Sequence, residues 1–197
     1  MLTDDAVLTE FRDAGALLEG HFILSSGNHS TAYLQCARVL MDAKRAERLC
    51  AALAGKIRAA GLADGIDLVV SPAMGGVVVG YEMGRQLGLP AIFFERVDGA
   101  FALRRGFRIE KGQRCIMVED VVTTGLSSRE CIEAAEAAGG TVVAAASLVD
   151  RSGGRAKLPV PFVPLIRLDI PIFPPDQIPA SVKGIAAVKP GSRGLKV

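Results

Sequence analysis

The chain has 197 residues, half of them apolar, which suits one domain with a sizeable core. A formal charge of +2 is too small to argue for a nucleic-acid surface, and no apolar run reaches membrane-spanning length or follows a basic N-terminus as a signal peptide would. Cys36, Cys50, Cys115 and Cys131 lie far apart in apolar contexts, without zinc-ligand spacing, so reduced core thiols in a cytoplasmic protein are expected.

Thr3, Asp4 and Asp5 predict a helix start, and Gly15 stops that helix after about Ala14. His21–Gly27 and Thr31–Ala37 read as two short strands around Ser25-Ser26-Gly27-Asn28, a hairpin flap. Asp42 caps the next helix. Its apolar residues, from Ala43 to Ala60, recur at three- and four-residue steps with Lys44, Arg45, Arg48, Lys56 and Arg58 on the solvated face. Asp67–Val70 is a buried strand that ends in Ser71-Pro72-Ala73-Met74-Gly75-Gly76 and enters a helix. Gly76, Gly80, Gly84 and Gly88 would form a smooth ridge on it, allowing close approach to a sheet. Ala91–Glu95 is a further strand. The segment from Arg96 to Gln113 is polar, basic and long for a connection, so it reads either as a lid or as a plain β-hairpin excursion.

Arg114–Val118 is an apolar strand that runs into Glu119, Asp120, Val121, Val122, Thr123, Thr124, Gly125, Leu126 and Ser127, then into a helix ending before Gly139. Backbone N–H groups at that helix start, Gly125 and the Thr123, Thr124 and Ser127 hydroxyls suit a phosphate. The two carboxylates would repel it and instead accept hydrogen bonds from neutral hydroxyls, so phosphate beside diol describes a ribose 5-phosphate. The plainer alternative is a strand end with solvated acids and a Thr/Ser cap. Thr141–Val149 is a strand ending in the polar turn Asp150–Gly154, and Val163–Leu168 is a proline-flanked edge strand. From Pro171 the chain is proline-rich and basic, a short arm that folds back on the flap with mobile last residues. Alternating strands and helices predict an α/β fold, a mostly parallel central sheet flanked by helices. A small flap or hood from about residues 1–40 plus the C-terminal arm would sit beside a core of about residues 41–170, in one domain. Ligands bind such sheets at the carboxyl ends of strands, where the polar turns fall.

The Glu119–Ser127 run resembles the phosphoribosyl-diphosphate signature of the type I phosphoribosyltransferases, and its wording is most similar to the orotate phosphoribosyltransferase family. The likeness extends to His21–Gly27 with Tyr33 (flap), Ser71–Gly76 (diphosphate loop), Asp150-Arg151 (orotate carboxylate) and the Lys183–Arg193 tail. It implies Mg²⁺-dependent transfer of phosphoribosyl from phosphoribosyl diphosphate to N1 of orotate, a step of pyrimidine nucleotide synthesis. It further implies a homodimer with shared sites and Mg²⁺ held mainly by substrate and water. Glu119 and Asp120 would hold the ribose; residues 121–127, Met74, Gly75 and Arg96 the rest of the donor; Thr123 and Arg151 the orotate. Three departures stand out, the first being that the flap lysine of some members is replaced near Ser25. Gly75 occupies the place of a lysine common in the family's diphosphate loop, and the lid offers Arg96, Arg104, Arg105 and Arg108 instead of lysine and histidine. Arg104 and Arg105 are therefore the lid's catalytic candidates. A purine phosphoribosyltransferase and a non-catalytic phosphoribosyl-diphosphate sensor are the alternatives, since fold alone does not fix function.

Overall fold

The computed structural model describes residues 2–24 and 27–189. Helix α1 (Asp4–Asp13) starts as expected, with the Thr3 hydroxyl accepting from Ala6 N at 3.2 Å, and it buries Val7 and Phe11. Strands β1 (Leu17–Ile23) and β2 (His29–Leu34) form the antiparallel flap hairpin. Both are displaced from the expected bounds. The first begins earlier, and the second gives way to a short helix, α2 (Cys36–Leu40), whose Cys36, Val39 and Leu40 are buried. Part of the flap motif, Ser25 and Ser26, lies outside the described residues. Helix α3 (Ala43–Ala59) follows, with the Asp42 carboxylate accepting from Arg45 N at 3.0 Å.

The core units are β3 (Leu68–Pro72), α4 (Gly75–Leu87), β4 (Ala91–Val97), β5 (Ala100–Leu103), β6 (Arg114–Val122), α5 (Leu126–Ala137), β7 (Thr141–Asp150) and β8 (Phe162–Arg167). They build a six-stranded sheet of order β5-β4-β3-β6-β7-β8, parallel except for the antiparallel β5. The segment after β4 is thus a hairpin, the second of the two readings. Its turn is Asp98-Gly99, both with positive φ (51° and 88°), a short-range hairpin signal.

Alternation along the strands sorts side chains into two cores. Val69, Ile116 and Val118 pack with α1, α3 and α4, whereas Leu68, Val70, Cys115 and Met117 pack with α5. The glycine ridge is real for three of its four members. An added Cβ would come within 3.0 Å of Ser71 Cβ at Gly76, 2.1 Å of Ser71 Oγ at Gly80 and 2.9 Å of Ala91 Cβ at Gly84. Gly88 instead ends α4 in the left-handed conformation, with φ 73°.

The arm does fold back on the flap. Strand β9 (Ile172–Phe173) pairs with β2, and Val188 bridges Phe22 after a short helix, α6 (Ala180–Lys183). The expected mobility of the last residues concerns positions 190–197, which lie outside the described residues.

Candidate functional site

The site forms where β6 and β7 end, beneath the flap. Strand alternation sends the adjacent acids to opposite faces of the sheet. Glu119 turns toward α5 and accepts a short hydrogen bond from Ser128 Oγ. Asp120 turns toward the start of α4, where an added Cβ on Gly75 would lie 2.7 Å from its Oδ1. Asp120 Oδ1 also accepts from Val121 N at 2.9 Å. Burial pushes the Glu119 carboxyl up to about 7, with the Ser128 hydrogen bond and the Arg96 charge offsetting part of that rise and Asp120 adding to it. Burial also raises the Asp120 carboxyl, while backbone N–H donors hold it back.

Residues 123–128 then wrap a cavity of about 170 Å³ at the N-terminus of α5, with Glu119 and Val121 on its wall. Gly125 makes the wrap possible. It has φ 75°, and a Cβ there would sit 3.0 Å from Leu158 Cδ2 and 3.1 Å from Arg129 Nη1. Thr124 Oγ1 accepts from Leu126 N at 3.3 Å, and no N-cap side chain closes the helix end. Free N–H groups, hydroxyls and the helix dipole there suit a phosphate. Arg129 Nη1 fastens the turn from outside by donating to the Thr124 and Lys157 carbonyls at 3.1 and 3.0 Å. Val122 is buried and serves the strand, paired with Asp150.

A second cavity, of about 240 Å³, shares Thr123 and Thr124 with the first and adds Arg151, Ser152, Arg155, Ala156 and Ile172. Asp150 builds its floor. Its carboxylate accepts from Ser152 N at 2.9 Å, Ser152 Oγ at 2.6 Å and Gly154 N at 3.1 Å, while Arg151 N donates to the Val122 carbonyl at 2.8 Å. Arg151 is therefore fixed at its backbone and buried at its side chain. Its Nη2 donates to Ser30 Oγ at 3.1 Å, and its Nε has no partner among the described residues. Burial lowers its pKa, with Tyr33 the one group opposing that shift. A buried guanidinium offered only neutral partners suits an incoming carboxylate.

A family model described as the phosphoribosyl transferase domain matches residues 39–163. The orotate phosphoribosyltransferase of Rhizorhabdus wittichii is 64% identical over 192 residues, covering 98% of this chain and 97% of that protein. The chain belongs to the orotate phosphoribosyltransferase family. A relative of the same name from Sphingopyxis alaskensis is 62% identical over 195 residues, covering 98% of this chain and 99% of that one. A crystal structure of orotate phosphoribosyltransferase from Aeropyrum pernix superposes with a TM-score of 0.68 at 28% identity, over 82% of this chain and 93% of that chain.

Within this family member the structure brings Glu119, Asp120, Thr123, Thr124, Gly125, Leu126 and Ser127 to one strand end, with Gly75 at the start of α4 facing Asp120, Met74 exposed just before it and Arg151 beside the threonines. Two of the lid arginines hold partners on the hairpin and α5. Arg96 pairs with Glu130, donates to the Gly99 carbonyl at 2.7 Å and lies 4.1 Å over the Phe101 ring. Arg105 holds Glu95 in a fork of 2.9 and 3.0 Å, and Arg104 is exposed on the same hairpin. Ser30, Ser128, Arg129 and Arg155 were not singled out by sequence. Each acts through a partner distant in sequence or inside a helix, where no local pattern marks it.

Proposed function

We propose that this orotate phosphoribosyltransferase uses the two joined cavities as its donor and base sites, with the residues in the following roles. The observation that carries the assignment is Arg151, a buried guanidinium without a carboxylate partner among the described residues, beside the anion-binding turn. The turn from Thr123 to Ser127 and the N-terminus of α5 hold the 5-phosphate. Glu119 and Asp120 accept the ribose hydroxyls and place negative charge near the ring as it becomes positive. The diphosphate lies toward Met74 and Gly75 at the start of α4, where backbone N–H groups again lack a side-chain cap. Orotate stands with its carboxylate on Arg151 and Thr123 alongside, so that N1 faces C1 of the ribose. The N1–C1 bond forms as the bond from C1 to the diphosphate oxygen breaks, and the proton released from N1 passes to the departing diphosphate or to water. Holding both reactants in this geometry is the larger part of the catalysis asked of the chain.

Mg²⁺ is the cofactor of this reading, and when bound it neutralises the departing diphosphate. The donor set fits an ion carried mainly by substrate. Glu119 and Asp120 diverge to opposite faces and do not chelate one ion together, and Mg²⁺ uses one or two carboxylates with substrate oxygens and water. A second copy of the chain is the proposed partner. Val78 and Tyr81 of α4 are 48% and 72% exposed, and with Phe93 and Phe107 they line an apolar hollow of about 400 Å³ suited to an interface. No helix among the described residues is long and apolar enough to cross a membrane, and the four buried free cysteines fit a reducing cytoplasm.

The test is loss of orotate absorbance with phosphoribosyl diphosphate and Mg²⁺, with hypoxanthine, xanthine and adenine run in parallel. Orotate alone should be consumed. Arg151→Ala should raise the orotate KM far more than that of phosphoribosyl diphosphate; equal effects on both would remove Arg151 from the base site.

A further inference from the structure

Ser30 lies on β2 with no solvent exposure, and its hydroxyl joins three parts of the fold. The oxygen accepts from Arg151 Nη2 at 3.1 Å, and its proton goes to the Pro171 carbonyl at 3.0 Å. A hydroxyl has one proton and two lone pairs. With the proton directed to Pro171, a lone pair is left facing the guanidinium. Ser30 also pairs in register with Ile172, the residue after Pro171, and Ile172 lines the cavity that holds Arg151 and Thr123. Flap, C-terminal arm and base site therefore meet at one oxygen.

Arg151 has need of such a hold. Its backbone is fixed through Val122, but a long side chain has several rotatable bonds, and Nε is buried without a partner. Among the described residues, Ser30 Oγ is the side-chain acceptor that meets its guanidinium.

We propose that Ser30 is a positioning residue for base recognition: its hydroxyl, oriented by the Pro171 carbonyl of the C-terminal arm, sets the Arg151 guanidinium to receive a carboxylate on the pyrimidine. The inference rests on the assignment of Arg151 to the orotate carboxylate. The contact is remote from the bond that breaks, so it acts on base affinity and leaves the donor side alone.

The experiment compares the parent, Ser30→Ala, Arg151→Ala and the double variant for kcat, both KM values and melting temperature. Ser30→Ala should raise the orotate KM about tenfold, the order expected from one hydrogen bond to a charged group, and leave the KM of phosphoribosyl diphosphate within about twofold. In the Arg151→Ala background the same change should add less than about twofold. Ser30→Thr, which keeps the hydroxyl, should restore most of the affinity. If Ser30→Ala does not accumulate as folded protein, Ser30→Cys, with similar volume and a weak acceptor, carries the same comparison. Equal rises in both KM values, or an undiminished effect without Arg151, would make Ser30 a fold-keeping residue and overturn the proposal. A flat Ser30→Ala beside a strong Arg151→Ala overturns it alone, whereas a flat Arg151→Ala removes the carboxylate assignment and this role with it.

Discussion

Gly75→Ala probes the contact between the start of α4 and the end of β6. A Cβ at Gly75 would stand 2.7 and 2.9 Å from the two carboxylate oxygens of Asp120. To regain a contact of 3.4 Å the nearer oxygen must retreat by about 0.7 Å. It is not free to do so, because Asp120 Oδ1 accepts from Val121 N at 2.9 Å. Losing that charged hydrogen bond costs about 1.5–3 kcal/mol, and an off-rotamer side chain about 0.5–1.5 kcal/mol. Alanine returns about 1 kcal/mol in helix propensity. The expected net loss of stability is therefore about 1–3.5 kcal/mol, read as a fall of several degrees in melting temperature. The effect on activity should be larger, since displacing a group set against the ribose by nearly an ångström lowers turnover by up to about 100-fold. The assay is the initial rate of orotate loss at saturating substrates, with melting followed on the same samples. Parent-like turnover and melting would refute the reasoning, because Asp120 would then be neither held where it lies nor needed there. The same geometry bears on any larger residue at this place, whose side chain must first displace Asp120.

Asp120→Asn keeps the shape and removes the charge, and should lower turnover at least about tenfold with the fold intact; full activity with unchanged melting would end the ribose role. Glu119, held up to about 7 against an ordinary 4.5, keeps a proton in the folded state that the unfolded chain has already released. Its stabilising contribution is full below the unfolded value and is lost as pH rises through about 7. Glu119→Gln does not ionise and should gain on the order of 1–3 kcal/mol over the parent as pH rises through that window, so parallel melting curves against pH would refute the assignment. Arg104→Ala and Arg105→Ala should impair turnover with little loss of stability, because Arg105 reaches Glu95 from the solvent side and such screened pairs contribute at most about 1 kcal/mol. Mixing either with Asp120→Asn should restore activity in hybrid dimers; activity that stays at the level of the separate variants after verified subunit exchange rules out a site shared between copies.

Periodicity made most of the core legible. The β3–α4 and β6–α5 units announce themselves through an apolar run, a polar turn and a helical pattern, and the cap residues Thr3 and Asp42 are where they were expected. The flap was harder. Cys36 and Ala37 read as the end of the second flap strand but open a turn of helix, because Cys36, Val39 and Leu40 bury against α1 and α3, a tertiary preference that overrides local propensity. The hairpin after β4 has a different signal: its short strands carry little apolar alternation, and only the Asp98-Gly99 turn marks the reversal. Within the site, motif residues were legible and their supports were not. Ser30 lies 121 positions from the arginine it touches, and no window along the chain can bring the two together.

The adjacent acids show what a motif alone leaves unsaid. Written as a pair, Glu119 and Asp120 suggest one diol held by two like groups. On a strand, neighbours in sequence face opposite sides of the sheet, so the pair is divided between two helices. Glu119 meets Ser128 of α5, and Asp120 meets Gly75 of α4. On the proposed reading those helix starts receive the two phosphate groups of the donor, one at each end of the ribose. Each acid then stands between a helix N-terminus and the sugar, excluded from the phosphate by repulsion, with burial holding its carboxyl above the usual carboxylate range. The two sites are set by one strand end, which is why a displacement of Asp120 from the α4 side should be felt in turnover before it is felt at the 5-phosphate cradle.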